Sequence, residues 1–320
     1  MTRFRRPLAL LTLLLALFVL PAASESGADD VALSAGQAVV LGVVEGVTEF
    51  LPISSTGHLL VTQNLMDVGT TEETEAAADS YAIVIQAGAI LAVLVLYHER
   101  IRSMLLGVIG RDEVGRRITI AVVVSFVPAA VVGLPAEDAI KERLFGLYPI
   151  AAAWMVGGAI VLWVSRTFLD REAEEAEAFD PTPDDEFDPA DSRETDRGGL
   201  ATITVQQALI IGVAQCLAMW PGTSRSLVTI VAAVLVGLPP PAAVEYSFLL
   251  GLATLGAATV YESAKSGGEI VDTFGLAAPV IGFVAAFVSA VVAIRWMVGY
   301  LQRHSFAIFG WYRLPLRPAE

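Results

Sequence analysis

Five predominantly apolar stretches constrain this chain more than anything else in it. Residues 81–97, 118–134, 148–164, 244–261 and 274–294 are each long enough to cross roughly 30 Å of hydrocarbon as a helix. A water-soluble domain cannot hide them all. With 55% apolar and only 17% charged residues, the chain also lacks the polar surface such a domain needs. In lipid, backbone N–H and C=O groups must pair within the protein, so the stretches predict helices. The expected fold class is therefore all-α, a polytopic membrane protein.

The net charge of −14 is concentrated in one place, because residues 170–196 hold thirteen acidic and two basic side chains, which leaves only −3 elsewhere. Pro181, Pro183 and Pro189 interrupt that stretch and little in it is apolar, so it reads as a solvated, disordered connector. At the start, Arg3, Arg5 and Arg6 precede the apolar run Leu8 to Leu20 and then Pro21-Ala22-Ala23-Ser24. This order fits a secretory signal peptide, with a first anchor helix as the alternative. The single cysteine, Cys216, excludes an intramolecular disulfide and a multi-cysteine metal site.

The remaining chain repeats itself. Leu41-Gly42-Val43-Val44-Glu45 returns in character as Ile211-Gly212-Val213-Ala214-Gln215, and Phe50-Leu51-Pro52-Ile53-Ser54-Ser55 as Trp220-Pro221-Gly222-Thr223-Ser224-Arg225. Both segments are apolar but broken centrally by proline, so each predicts a re-entrant helical hairpin whose irregular tip lines a protected site. Arg100, Arg102, Arg111, Arg116 and Arg117 mark the connection after the first full span as cytoplasmic. The acidic loop 67–79 then lies outside. Counting spans onward brings the second hairpin in from the opposite face, with Arg295 and Arg303 inside. The expectation is two inverted-topology repeats, 31–169 and 201–320, separated by the connector 170–200 and preceded by the leader 1–30. Broken helices in such repeats meet near the midplane and build one site between the halves.

Glu45 and Glu49 lie one helical turn apart and share a face of an otherwise apolar helix. Two like charges at membrane depth are costly unless cations, protons or water compensate, which marks them as functional. Ser54, Ser55, Thr56 and His58 follow Pro52 where a new helix begins, and free N–H groups at a helix start suit phosphate oxygens. His58 suits three roles: nucleophile, general base for a serine, or acid to a leaving group. Ser224, Arg225, Ser226 and Thr229 supply hydroxyls and a guanidinium at the other tip. Arg225 can grip a phosphate with its planar fork or pair with a glutamate. Carboxylates, hydroxyls, an imidazole and an arginine in a membrane cavity form an inventory for phosphoryl transfer from an amphiphilic substrate, a lipid diphosphate above all. Nothing in it calls for nucleic acid or an organic cofactor.

The segments LGVVEGVTEFLPISSTGH and QCLAMWPGTSRS closely resemble the two signature segments of the undecaprenyl-diphosphatase family of the bacitracin-resistance type. Similarity extends through the stretch 81–93, Pro128-Ala129-Ala130 and Glu245-Tyr246-Ser247-Phe248-Leu249-Leu250. It covers roughly residues 35–312 without the acidic stretch. The resemblance implies hydrolysis of a C55-type prenyl diphosphate to its monophosphate, which recycles the lipid carrier of cell-envelope glycan synthesis. It also implies a site in the cell membrane opening toward the outer face. It places Glu45, Glu49, Ser55, His58 and Arg225 in the catalytic motif, with Ser54, Thr56, Ser224, Ser226 and Thr229 as phosphate-binding hydroxyls. It further implies assistance by Mg²⁺ or Ca²⁺, for which Glu45 and Glu49 are the paired ligands. Either Ser55 or a water activated by the glutamates is the attacking group.

Two departures stand out. Relatives run on into a final apolar helix, whereas residues 306–312 are followed here by Arg313, Pro315 and Arg317. Only a short last helix is expected, with subunit contacts in a homo-oligomer as one compensation. Leu227 stands where relatives often carry a small residue. A transporter or flippase for an anionic polyprenyl phosphate lipid shares the inverted-repeat architecture and is the alternative function.

Overall fold

The computed structural model describes residues 33–69, 72–169, 199–274, 276–301 and 304–314. The leader 1–30 and the acidic stretch 170–196 lie outside them. Every regular element among the described residues is helical. The first half runs α1 (Ala35–Thr48), α2 (Ser55–Leu65), α3 (Glu72–Leu96), α4 (His98–Val108), α5 (Glu113–Leu144) and α6 (Leu147–Val164). After a 3₁₀ turn at Leu200–Thr202 the second half runs α7 (Val205–Gln215), α8 (Arg225–Leu235), α9 (Pro240–Phe274), α10 (Ala277–Leu301) and α11 (Ala307–Arg313). Five helical segments are long and apolar enough to span: Ala78–Leu96, Glu113–Ala136, Tyr148–Thr167, Pro240–Ala264 and Ala277–Leu301. The protein is a multi-pass, all-α membrane protein.

The helices differ from expectation mainly at their ends. α3 begins at Glu72, so much of the acidic segment expected as a loop is wound onto a span. Acidic residues at a helix start are favoured by the dipole. α5 continues through Pro128 and Pro135 to Leu144, where packing offsets the lost backbone bonds. α10 runs on past Arg295 to Leu301; Arg295 is exposed, and its long stem can carry the charge to the interface. Between α4 and α5, the Asp112 carboxylate accepts from Gly115 N–H at 2.9 Å and Ser103 Oγ at 2.7 Å. These bonds hold its pKa below the ordinary value.

The two broken segments are built alike. Ser34 and Gln37 form a capping box at the start of α1, and Thr204 and Gln207 form one at the start of α7. Each glutamine then closes the base of its hairpin, Gln37 Nε2 donating to Met66 O at 3.2 Å and Gln207 Nε2 to Val236 O at 2.9 Å. The halves also interlock: α1 packs on α10 and α7 packs on α5. Small residues permit both approaches. A Cβ at Gly46 would sit 2.2 Å from Ala286 O, and one at Gly212 would sit 2.5 Å from Ser125 O. Tyrosines reinforce them, Tyr81 donating to Ala38 O at 2.9 Å and Tyr246 sharing a 2.6 Å bond with Ser125, whose hydroxyl donates to Ala208 O. A buried ion pair, Arg100 Nε to Glu245 Oε1 at 2.6 Å, further joins α4 to α9.

Candidate active site

The site forms where the two hairpin tips meet. α1 unwinds into the turn Glu49–Ile53, with Ile53 N donating to Leu51 O at 2.7 Å, because Pro52 cannot continue a helix. The second tip passes through a 3₁₀ turn at Cys216–Met219 and then Pro221-Gly222, with Gly222 at φ +93°. Both tips end on a serine at positive φ, Ser54 at 76° and Ser224 at 75°. Each immediately precedes the first residue of the next helix, Ser55 or Arg225. Backbone in this region is strained for a residue with a side chain and clusters at functional sites. Matching strain at both tips aims Ser55 and Arg225 into the same space.

Glu49 is the hub of that space. Its Oε2 accepts a 2.6 Å hydrogen bond from Ser55 Oγ, and its Oε1 lies 3.4 Å from Arg225 Nη2. The other guanidinium arm, Nη1, donates to Ser247 O on α9 at 2.9 Å. The Arg225 guanidinium carbon stands 5.9 Å from the Phe50 ring centroid, a cation–π approach. Glu45 is buried one turn before Glu49, and its Oε2 has no hydrogen-bond partner; Arg225 Nε is likewise buried and unpartnered. One unsatisfied anionic acceptor and one unsatisfied cationic donor therefore flank the Ser55–Glu49 pair.

His58 is half-buried on α2 and stands apart from Ser55's hydrogen bond. Its Nδ1 lies 2.6 Å from Ser54 O and its Nε2 lies 2.7 Å from Tyr312 Oη. The structure thus gives Ser55 a carboxylate partner, where the sequence left histidine activation open. Thr56 is half-buried beside them. Ser54 is buried, and its carbonyl is what His58 meets.

The other expected phosphate-binding hydroxyls are engaged by the protein. Ser224 Oγ accepts from Leu227 N at 3.3 Å and shares a 3.1 Å bond with Ser226 Oγ, which lies 3.0 Å from Leu51 O on the first tip. Thr229 Oγ1 bonds Arg225 O at 2.9 Å and Ser247 Oγ at 2.6 Å. Ser226 and Thr229 are fully buried. All three hold Arg225 and the tips in place.

Arg313 is the functional residue that sequence reading missed. Buried at the end of α11, it donates to Pro52 O on one tip at 3.2 Å and to Gly222 O on the other at 2.7 Å. It also donates to Ala153 O and Trp154 O of α6. An arginine directly after an apolar stretch was the available signal, since charge at membrane depth is rarely idle.

Comparison with known proteins agrees with this geometry. The sequence profile of the family described as "Bacitracin resistance protein BacA" matches residues 38–317. The chain is 43% identical over 280 residues to an undecaprenyl-diphosphatase of Sorangium cellulosum (strain So ce56), covering 87% of this chain and 83% of that protein. It is 41% identical over 278 residues to an undecaprenyl-diphosphatase of Rhodopseudomonas palustris (strain BisB18), covering 87% and 92%. It is 38% identical over 280 residues to undecaprenyl-diphosphatase 2 of Shewanella oneidensis, covering 88% and 94%.

Proposed function

The chain belongs to the bacitracin resistance protein BacA family, and from that membership we infer that it removes the terminal phosphate of undecaprenyl diphosphate to leave the monophosphate. The observation that carries the reaction is the 2.6 Å bond from Ser55 Oγ to Glu49 Oε2, facing Arg225 from the opposite hairpin. Glu49 takes the hydroxyl proton as Ser55 Oγ attacks the terminal phosphorus. The bond from phosphorus to the bridging oxygen breaks, its electron pair leaving with the lipid monophosphate. Water then attacks the phosphoserine, Glu49 returns its proton to Ser55 Oγ, and the water proton departs with orthophosphate. Arg225, with its free Nε, neutralises charge on the phosphoryl oxygens throughout.

A divalent cation, Mg²⁺ or Ca²⁺, fits the same carboxylates, because Glu45 Oε2 is buried with no partner and hard cations take carboxylate oxygen. Glu45 and Glu49 would hold it, and when bound it supplies charge neutralisation and Lewis acidity. Among the described residues no group of three or more His, Cys, Asp or Glu forms a complete cage. Water and phosphate therefore complete the coordination in this reading.

In the same reading the hairpins enter from opposite faces of the cell membrane and the site opens outward. The prenyl tail stays among apolar helices, and the monophosphate rejoins the carrier pool for envelope glycan synthesis. Lipid carriage, which the architecture also admits, needs a phosphate grip but no nucleophile with its own base. The Ser55–Glu49 pair supports hydrolysis over it. Orthophosphate release from a long-chain prenyl diphosphate by detergent-purified protein, with and without Mg²⁺ or Ca²⁺, tests the assignment. Release that stops in Ser55→Ala supports the serine nucleophile. Release that persists there, yet stops in Glu49→Gln, assigns the attack to water. No release from folded protein under any metal condition overturns the phosphatase reading in favour of transport.

A further inference from the structure

His58 is clamped by aromatic rings, with Trp154 at 4.9 Å between centroids on one side and Tyr312 at 5.7 Å on the other. Its two nitrogens face different partners. Ser54 O, 2.6 Å from Nδ1, is a carbonyl and can only accept. Nδ1 must therefore carry a proton. In the neutral ring Nε2 then holds a lone pair, and the Tyr312 hydroxyl, 2.7 Å away, donates to it. The hydrogen bond at one imidazole nitrogen sets the state of the other, so Ser54 and Tyr312 together fix one tautomer and one ring orientation. Tyr312 is 57% exposed, so it stands between Nε2 and the open side of the molecule. It also neighbours Arg313, which ties the two tips together.

We propose that Tyr312 is a positioning residue for the dephosphorylation reaction, holding His58 as the Nδ1–H tautomer with Nε2 directed to the exposed side of the site. The proposal rests on the phosphatase reading for its kinetic consequence and on geometry alone for its spectroscopic one. Tyr312→Phe keeps a ring beside His58 and removes only the hydroxyl. It should lower kcat about tenfold, the rate equivalent of one lost hydrogen bond, with KM within about twofold.

The chain holds only three histidines, so ¹⁵N-histidine NMR of the detergent-solubilised protein can resolve His58, assigned by the signal missing in His58→Gln. Wild type should show a protonated Nδ1 and a hydrogen-bonded, unprotonated Nε2. In Tyr312→Phe the Nε2 resonance should move toward that of an unbonded nitrogen. Wild-type kcat with an unmoved signal in the variant would overturn the proposal, as would a variant whose KM rises while kcat holds. If Tyr312→Phe does not fold, the wild-type spectrum decides: an Nε2–H form of His58 overturns the pairing. Absence of phosphate release by wild type overturns the phosphatase reading instead, and leaves the spectroscopic test of the pairing intact.

Discussion

Glu49 holds two partners with one carboxylate: the hydroxyl it can deprotonate and the guanidinium that reaches it from the other hairpin. Glu49→Gln keeps the shape and can still accept from Ser55, but an amide is no base at neutral pH. We expect kcat for orthophosphate release to fall about 10²- to 10⁴-fold, the usual worth of a positioned base, in protein that still elutes as folded. Glu45, Glu49, Ser55, His58 and Arg225 were legible as polar groups placed where an apolar helix breaks, because charge at that depth demands a reason. What the sequence could not show was direction. Ser226 and Thr229 look like phosphate ligands in a line of letters, yet their hydroxyls point into the protein and bond Leu51 O and Ser247 Oγ. Arg313 and Tyr312 were read as the polar end of an apolar run, since nothing local reveals that this end folds back over sites more than 250 residues earlier, as Tyr312 does over His58.

At the scale of helices, α1 carries a glycine every fourth residue, Gly42 and Gly46, against Gly282 and Ala286 of α10. Close backbone approach of this kind is the substitute for hydrophobic driving force in lipid. Gly46→Val should push α1 off α10 and cost about 1–3 kcal/mol as an overpacked contact, read as a lowered thermal midpoint in detergent. α11 acts differently, as a clasp. Arg313→Lys keeps the charge but presents a compact ammonium where a planar fork now reaches two tips and α6. The expected result is a kcat lowered by at least about tenfold, for one strong bond lost at the tips. A midpoint and kcat both equal to wild type would sink the clasp. The five spans were plain from apolar length, and the two hairpins from their prolines. Helix ends were less so: Pro128 and Pro135 read as stops, yet α5 runs through both, because tertiary packing outweighs a local breaker.

Over the whole molecule the two halves are exchanged rather than set side by side, each hairpin leaning on a long helix of the other half. The Arg100–Glu245 pair reinforces this, joining residues 145 positions apart in the chain. Glu245→Ala strands a buried guanidinium and should lower stability by about 3–5 kcal/mol, measurable as a downward shift in the denaturation midpoint. Repetition in the sequence announced that two halves exist. The exchange itself was hidden, because small residues at Gly46 and Gly212 show that something approaches closely without saying what. The late position of Arg313 has a consequence in time. A membrane protein is threaded into the bilayer as it is synthesised, and both tips are made long before the residue that fastens them together. Until Arg313 has emerged and docked, Ser55 and Arg225 belong to two unfastened arms. The nascent chain is thus chemically silent toward the lipids around it, and a product truncated before that point stays silent.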